Sequence, residues 1–131
     1  MIRGSCLCGG VKYRISGPLT NVRHCHCTMC RKAHGAAFRS RATCKTADFV
    51  WVAGRDLITY FESSKGNHRG FCRVCGTAIH SEFDDPAHYG LPLGPLDDDP
   101  SAQPAMHIHV ANKAPWFDIT DTLPQHPNGP P

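Results

Sequence analysis

Cys72-Arg73-Val74-Cys75-Gly76, read together with Cys6-Leu7-Cys8-Gly9 near the start of the chain, decides what kind of fold this sequence makes. A C-x-x-C turn brings two sulfurs onto one side of a tight knuckle, each about 2.3 Å from a tetrahedrally held zinc. Gly9 and Gly76 follow the two pairs, and glycine takes positive φ without steric cost, which lets each knuckle turn. Four ligands complete a structural site, so Cys6, Cys8, Cys72 and Cys75 together would clamp the amino-terminal segment onto a later hairpin.

Working outward, Cys25-His26-Cys27-Thr28-Met29-Cys30 supplies a second group, and Cys44 stands alone among the eight cysteines. Three protein ligands with a vacancy are the arrangement of a catalytic zinc rather than a structural one. Cys25, Cys27 and Cys30 are therefore the candidate catalytic and metal-binding residues, and two zinc ions per chain are expected. Histidine beside cysteine is a frequent zinc combination, so His24, His26 or His34 could instead complete a closed second site. A disulfide framework is the other alternative, with 105 connectivities for eight cysteines. The start Met1-Ile2-Arg3-Gly4-Ser5 has no apolar run following its charge, and the expectation is a cytoplasmic chain whose close cysteines hold metal rather than disulfides. The lone Cys44 reads as a small buried hydrophobe.

The chain has 131 residues, enough for one domain, and its hydrophobic fraction of 40% implies a thin core that metal sites would help to hold. No apolar run is long enough for a membrane span. A net charge of +3 is too mild to demand nucleic acid and suits an anionic small molecule equally well. Oligomeric state has no signature here.

Alternation of apolar and polar residues at Val11–Ile15, Phe49–Val52, Ile58–Phe61 and Met106–Val110 predicts strands, and the protein reads as mainly β. One short helix of about two turns is predicted from Thr28 to His34, ended by Gly35. Five prolines and two glycines between Asp84 and Pro104 predict a loop with room for a short strand at Tyr89–Leu93. Pro124 to Pro131 carries four prolines and no apolar anchor, so residues 124–131 are expected to be a disordered tail on a single zinc-binding domain over 1–123.

Four blocks carry a resemblance: Gly4-Ser5-Cys6-Leu7-Cys8-Gly9-Gly10-Val11-Lys12-Tyr13, His24-Cys25-His26-Cys27-Thr28-Met29-Cys30-Arg31-Lys32-Ala33-His34-Gly35, Phe71-Cys72-Arg73-Val74-Cys75-Gly76-Thr77 and His107-Ile108-His109-Val110-Ala111-Asn112-Lys113-Ala114-Pro115-Trp116. In this order they resemble the glutathione-dependent formaldehyde-activating enzyme family, whose zinc domain also occurs in centromere protein V. The resemblance implies several small coiled β-sheets organised around zinc knuckles, related to the zinc ribbons. It places a structural zinc on Cys6, Cys8, Cys72 and Cys75 and a catalytic zinc on Cys25, Cys27 and Cys30.

The chemistry expected of such a site follows from its charge. Three thiolates leave a divalent zinc a poor Lewis acid for water but a good partner for a soft thiol, which loses its proton on binding. A thiol such as glutathione, added reversibly to formaldehyde or another small aldehyde, makes the protein a carbon–sulfur lyase resembling S-(hydroxymethyl)glutathione synthase. The rival expectation is a non-catalytic, zinc-stabilised binding module, and a redox or metal-buffering role for the same three cysteines ranks below both. Arg31, Lys32, Arg39 and Arg41 are candidate partners for glutathione's carboxylates, although each, like Lys65 and Arg69, is more simply a solvated charge. His107 and His109 would share one strand face, Trp51 and Trp116 would pack in the core or an interface, and Asp97–Asp99 would mark a solvated turn.

Overall fold

The first two strands, β1 (Ile2–Ser5) and β2 (Lys12–Ile15), form a hairpin whose turn is the Cys6–Cys8 knuckle. A computed structural model describes residues 1–131 and continues with β3 (Thr20–Cys25), helix α1 (Thr28–His34), β4 (Arg39–Lys45), β5 (Phe49–Ala53), β6 (Ile58–Ser64), β7 (Asn67–Cys72), β8 (Ala78–Glu82), β9 (His88–Pro92) and β10 (His107–Ile108). The fold is mainly β with one short α-helix. A three-stranded sheet runs β1-β2-β5, and a seven-stranded one runs β10-β3-β4-β9-β8-β7-β6.

The core lies between these sheets. Tyr13 and Ile15 of the smaller sheet, with Val11 just ahead of β2, meet Cys44, Ile79 and Leu91 of the larger one. Phe49 stacks on Tyr13 with ring centroids 5.0 Å apart. Only 24 of the 131 residues are buried, and Cys6 and Cys72 are two of the nine in this cluster. The knuckles thus extend a core that is as thin as the composition implies. Cys44 is one of its apolar members, 1% exposed, as read from the sequence.

Register fixes what the other face of the large sheet carries. Directly opposed residues of an antiparallel pair project on the same face. Cys25 opposes Arg39, Arg23 opposes Arg41, Thr43 opposes Gly90, Gly90 opposes Ser81, and Ser81 opposes Arg69. Ala42 and Cys44, at the alternate positions of β4, are buried on the core side. Four arginines therefore share a face with Cys25.

The helix ends where Gly35 takes a left-handed φ of 56° and returns its N–H to the Arg31 carbonyl. The Asp84–Pro104 segment does contain a short strand, β9, seated between β4 and β8. Two expectations fail. The Met106–Val110 alternation yields only the two-residue β10, because His109 turns into the left-handed region at φ 55°. The tail expected to be disordered is instead a strap: His107 N–H donates to Pro124 O, His126 N–H to His107 O, His109 N–H to Asn128 O and Val110 N–H to His126 O. Backbone groups anchor it, so it needs no apolar side chains, and its prolines sit where no ladder donor is required.

No helix of the chain is long and apolar enough to cross a membrane. Asp97 and Asp98 lie in a turn, where they tie down β1: Asp98 accepts from Arg3 N, Nε and Nη2, and Asp97 accepts from Ser5 Oγ. Trp51 packs at the margin of the core, whereas Trp116 is 69% exposed and takes no part in it.

Candidate metal centres and the adjoining cavity

The two knuckles meet because β1–β2 and β7–β8 end at the same place. Sγ of Cys6 lies 3.4 Å from that of Cys8, and Cys8 Sγ lies 3.9 Å from that of Cys72. Cys6, Cys8, Cys72 and Cys75 together place four ligand atoms within 4.8 Å of one another. Gly9 and Gly76 both sit at φ 79°, and Gly76 N–H donates to Cys72 O at 2.7 Å to close its turn. Val11 N–H donates to Cys6 Sγ at 3.2 Å, the kind of bond that stabilises a thiolate. Thr77 joins the knuckles by accepting from Leu7 N–H at Oγ1 while lying 3.3 Å from Cys75 Sγ. That contact with Thr77 lowers the Cys75 thiol to about 5.

Cys25 ends β3, Cys27 caps α1, and Cys30 lies in the helix's first turn, so one strand-to-helix corner converges three sulfurs within 4.8 Å. Cys27 Sγ accepts from Cys30 N–H at 3.3 Å, which makes it both a candidate ligand and the helix N-cap. No histidine joins this set. His24 stacks edge-on to Phe38, His34 turns toward the cavity described below, and His26 points away to His107.

The three sulfurs cannot ionise together without a cation among them. Cys25 and Cys27 hydrogen-bond to Cys30 and hold its thiol far below the usual range, helped by Arg69, whose Nη2 lies 3.7 Å from Cys30 Sγ. The same neighbours, Cys27 and then Cys30, push Cys25 far up. A divalent, thiophilic ion resolves this competition, and both thiolate-only donor sets suit one, zinc included.

Behind the loop, Asp121 accepts from His107 Nε2–H at 2.9 Å. The other ring nitrogen of His107, Nδ1, hydrogen-bonds His26 Nε2 at 2.7 Å. His107 is 1% exposed and holds the residue between Cys25 and Cys27 in place. Asp121→Ala is expected to lower stability, since a buried donor loses a charged partner that water only partly replaces. Asp121→Asn, whose carbonyl still accepts, should recover most of it. Urea unfolding of the two variants reads the difference, and equal losses would remove the hydrogen bond as the cause.

Beside the three-cysteine corner a cavity of about 420 Å³ opens on the arginine-bearing face. Arg39, Arg69 and Ser81 line it together with Phe61, Phe71 and Pro92, and no aspartate or glutamate does. Arg39, expected to be a solvated charge, is 4% exposed, with burial and then Arg41 lowering its guanidinium to about 10. Of the other cationic candidates, Arg31 donates to Asn112 O outside the cavity, and Arg41 lies 5.7 Å from the Phe83 ring centroid. Lys32 and Lys65 are exposed.

His34 also lines this cavity, where burial, and then Arg39, lowers its imidazole to about 4. The unfolded chain therefore binds this proton more tightly than the folded one over the interval between. Stability from His34 is full above about pH 6.5 and is lost as pH falls toward 4. His34→Gln is expected to flatten the drop in urea midpoint between pH 7.5 and 5. Parallel drops in variant and parent, at equal zinc content, would assign the loss to other groups.

A mainly β chain with one four-cysteine and one three-cysteine cluster, each able to hold a metal ion, is the class this fold and site define. The chain belongs to the glutathione-dependent formaldehyde-activating enzyme family, whose model matches residues 1–112. A Halomonas elongata protein, provisionally named as such an enzyme, is 27% identical over 91% of this chain and 81% of its own length. A crystal structure of a Rhodobacter sphaeroides protein, 27% identical, superposes with a TM-score of 0.59 over 74% of this chain and 89% of its own. Residues 113–131, with Asp121 and the strap, lie beyond the family match.

Proposed function

We propose that the chain is a zinc-dependent carbon–sulfur lyase that holds a thiol such as glutathione at Cys25, Cys27 and Cys30 and adds it reversibly to formaldehyde or another small electrophile. The observation that carries this reading is the three-sulfur set without a fourth side chain, beside a cavity large enough for a small molecule. Cys6, Cys8, Cys72 and Cys75 hold the structural ion. A zinc bound by three thiolates supplies a position at which an incoming thiol sheds its proton and is kept as a nucleophile at neutral pH.

The chain's own residues arrange the rest. Cys27 sets the helix start and Cys30 beside it, while the Asp121–His107–His26 chain of hydrogen bonds fixes the intervening loop. Arg69 spans the distance from Cys30 to the cavity, so a ligand in the cavity has its reacting end directed at the sulfur cluster. In the overall reaction a carbon–sulfur bond forms, the carbonyl π pair moves to oxygen, and that oxygen takes the proton given up by the thiol. Proximity supplies acceleration because the two reactants meet as if at raised concentration.

Elemental analysis is expected to give two zinc ions per chain, with X-ray absorption showing one of them gain a sulfur neighbour when glutathione is added. Two zincs with unchanged coordination for every thiol tried would leave a zinc-stabilised binding module instead. A single zinc would remove the three-cysteine site altogether.

A further inference from the structure

The arginine face described above is short of negative charge. Arg23, Arg39, Arg41 and Arg69 share it, yet the ion pairs of this protein are Arg3–Asp98 and four histidine–carboxylate contacts, none of them to these arginines and only one, His80–Glu82, at a residue that lines the cavity. The charges that act on Arg39 are Arg41, Cys30, Arg69 and Cys25, and those that act on Arg41 are Arg23, Cys30, Cys25 and Arg69. Three thiolates around a divalent ion amount to one net negative charge, too little for four guanidinium groups of which Arg39 is buried and the others half-buried.

Arg23, Arg31 and Arg41 each leave a buried Nε–H without a partner outside the cavity, and two more such groups open onto the cavity itself. Arg39 Nε and Arg69 Nη1 are buried N–H groups without any hydrogen-bond partner. The remaining contacts of these side chains are to two serine hydroxyls and one distant sulfur: Arg39 Nη2 donates to Ser81 Oγ at 3.3 Å, Arg69 Nε to Ser63 Oγ at 2.8 Å, and Arg69 Nη2 to Cys30 Sγ at 3.7 Å. Leaving a buried charged donor unsatisfied is costly, so such groups in a cavity select an anion to fill it. Phe61, Phe71 and Pro92 give the rest of the wall an apolar character, and an ammonium group would meet two guanidiniums there and no carboxylate.

We infer that this cavity is a carboxylate subsite, in which Arg39, Arg69 and Ser81 bind the acid group of a substrate whose cavity-borne part is apolar and carries no amine. The inference rests on the thiol-addition reading for the far end of the ligand, and it constrains the part of the thiol that enters the cavity to an acid-bearing, amine-free end, which in glutathione is the glycine end and not the γ-glutamyl end. Arg69 is the residue that links the two ends, since it faces both the cavity and Cys30.

Binding of thiol-free probes to the zinc-loaded chain separates this subsite from the thiol chemistry. In protein NMR titrations 3-phenylpropionate is expected to bind at least about tenfold more tightly than phenylalanine, which differs from it by an α-ammonium, and than 3-phenylpropanol, which lacks the acid. Arg69→Met should weaken 3-phenylpropionate by about tenfold or more, and the milder Ser81→Ala by several-fold. Absence of binding, equal binding of the three probes, or indifference to both substitutions would overturn the subsite. The response of the cobalt-substituted protein's thiolate-to-metal absorption to 2-mercaptoethanol reports on the thiol position alone. Its absence alongside intact carboxylate binding would defeat the lyase reading and leave the subsite standing.

Discussion

Cys72→Ser is expected to yield a chain that binds one metal ion fewer and has no cooperative fold at room temperature. Cys72 is 0% exposed and belongs at once to β7, to the core and to the four-sulfur cluster. Its N–H donates to Thr77 O and its carbonyl accepts from Gly76 N–H, so the sulfur's direction is fixed by the turn that carries it. A serine oxygen in that place is a harder, less readily ionised donor, poorly matched to a site of three remaining thiolates. Structural zinc contributes apparent free energies of roughly 10–16 kcal/mol, whereas a domain is stable by only about 5–15 kcal/mol in all. With so few buried residues beyond the knuckles, nothing else in this chain can offset the loss. Near-ultraviolet circular dichroism and metal content check this together. A cooperatively melting variant with two zincs would sink the closed four-thiolate site.

The knuckles were legible in the sequence because both the turn and its chemistry are local: two cysteines and a following glycine state the geometry in five residues. The helix from Thr28 to Gly35 was legible for a similar reason, its stop being a single glycine. The arginine face was not. In Arg39-Ser40-Arg41-Ala42-Thr43-Cys44 the positions facing the core are Ala42 and Cys44, too small to stand out as an apolar alternation. β3, as Thr20-Asn21-Val22-Arg23-His24-Cys25, likewise has a weak pattern. Only the register across β3, β4, β9, β8 and β7 gathers Cys25, Arg39, Ser81 and Arg69, and those pairings join residues far apart in the chain.

Histidine and proline misled for related reasons. His107 reads as a polar residue on an alternating strand, and its burial depends on finding two partners, one between the candidate ligands and the other in a segment past the strand. The strap from Pro124 onward has the composition of a disordered tail, yet it is held through main-chain groups that composition does not report. Both corrections bear on the site, because β10 and the strap complete the wall behind the three-cysteine loop.

Cys27→Ser should do the opposite of Cys72→Ser: remove chemistry while leaving the fold. Cys27 is only half-buried, and beyond its place in the sulfur set it accepts from Cys30 N–H as the cap of α1. Serine is among the preferred N-cap residues, so the helix start survives the change, whereas alanine there would cost about 1 kcal/mol as well. Two thiolates, Cys25 and Cys30, then remain near Arg69, too few to retain a thiophilic ion against millimolar competitors. The expected result is one zinc per chain, a melting transition within a few degrees of the parent's, and thiol addition to formaldehyde reduced by at least about a thousandfold, the scale on which loss of nucleophile activation and positioning acts. Binding of 3-phenylpropionate should persist, since its arginines do not depend on the metal for their place on the sheet. Unchanged zinc content would detach Cys27 from the metal. Retained activity with one zinc fewer would detach the three-cysteine site from the reaction and move the search for the nucleophile's seat to the arginine-lined cavity itself.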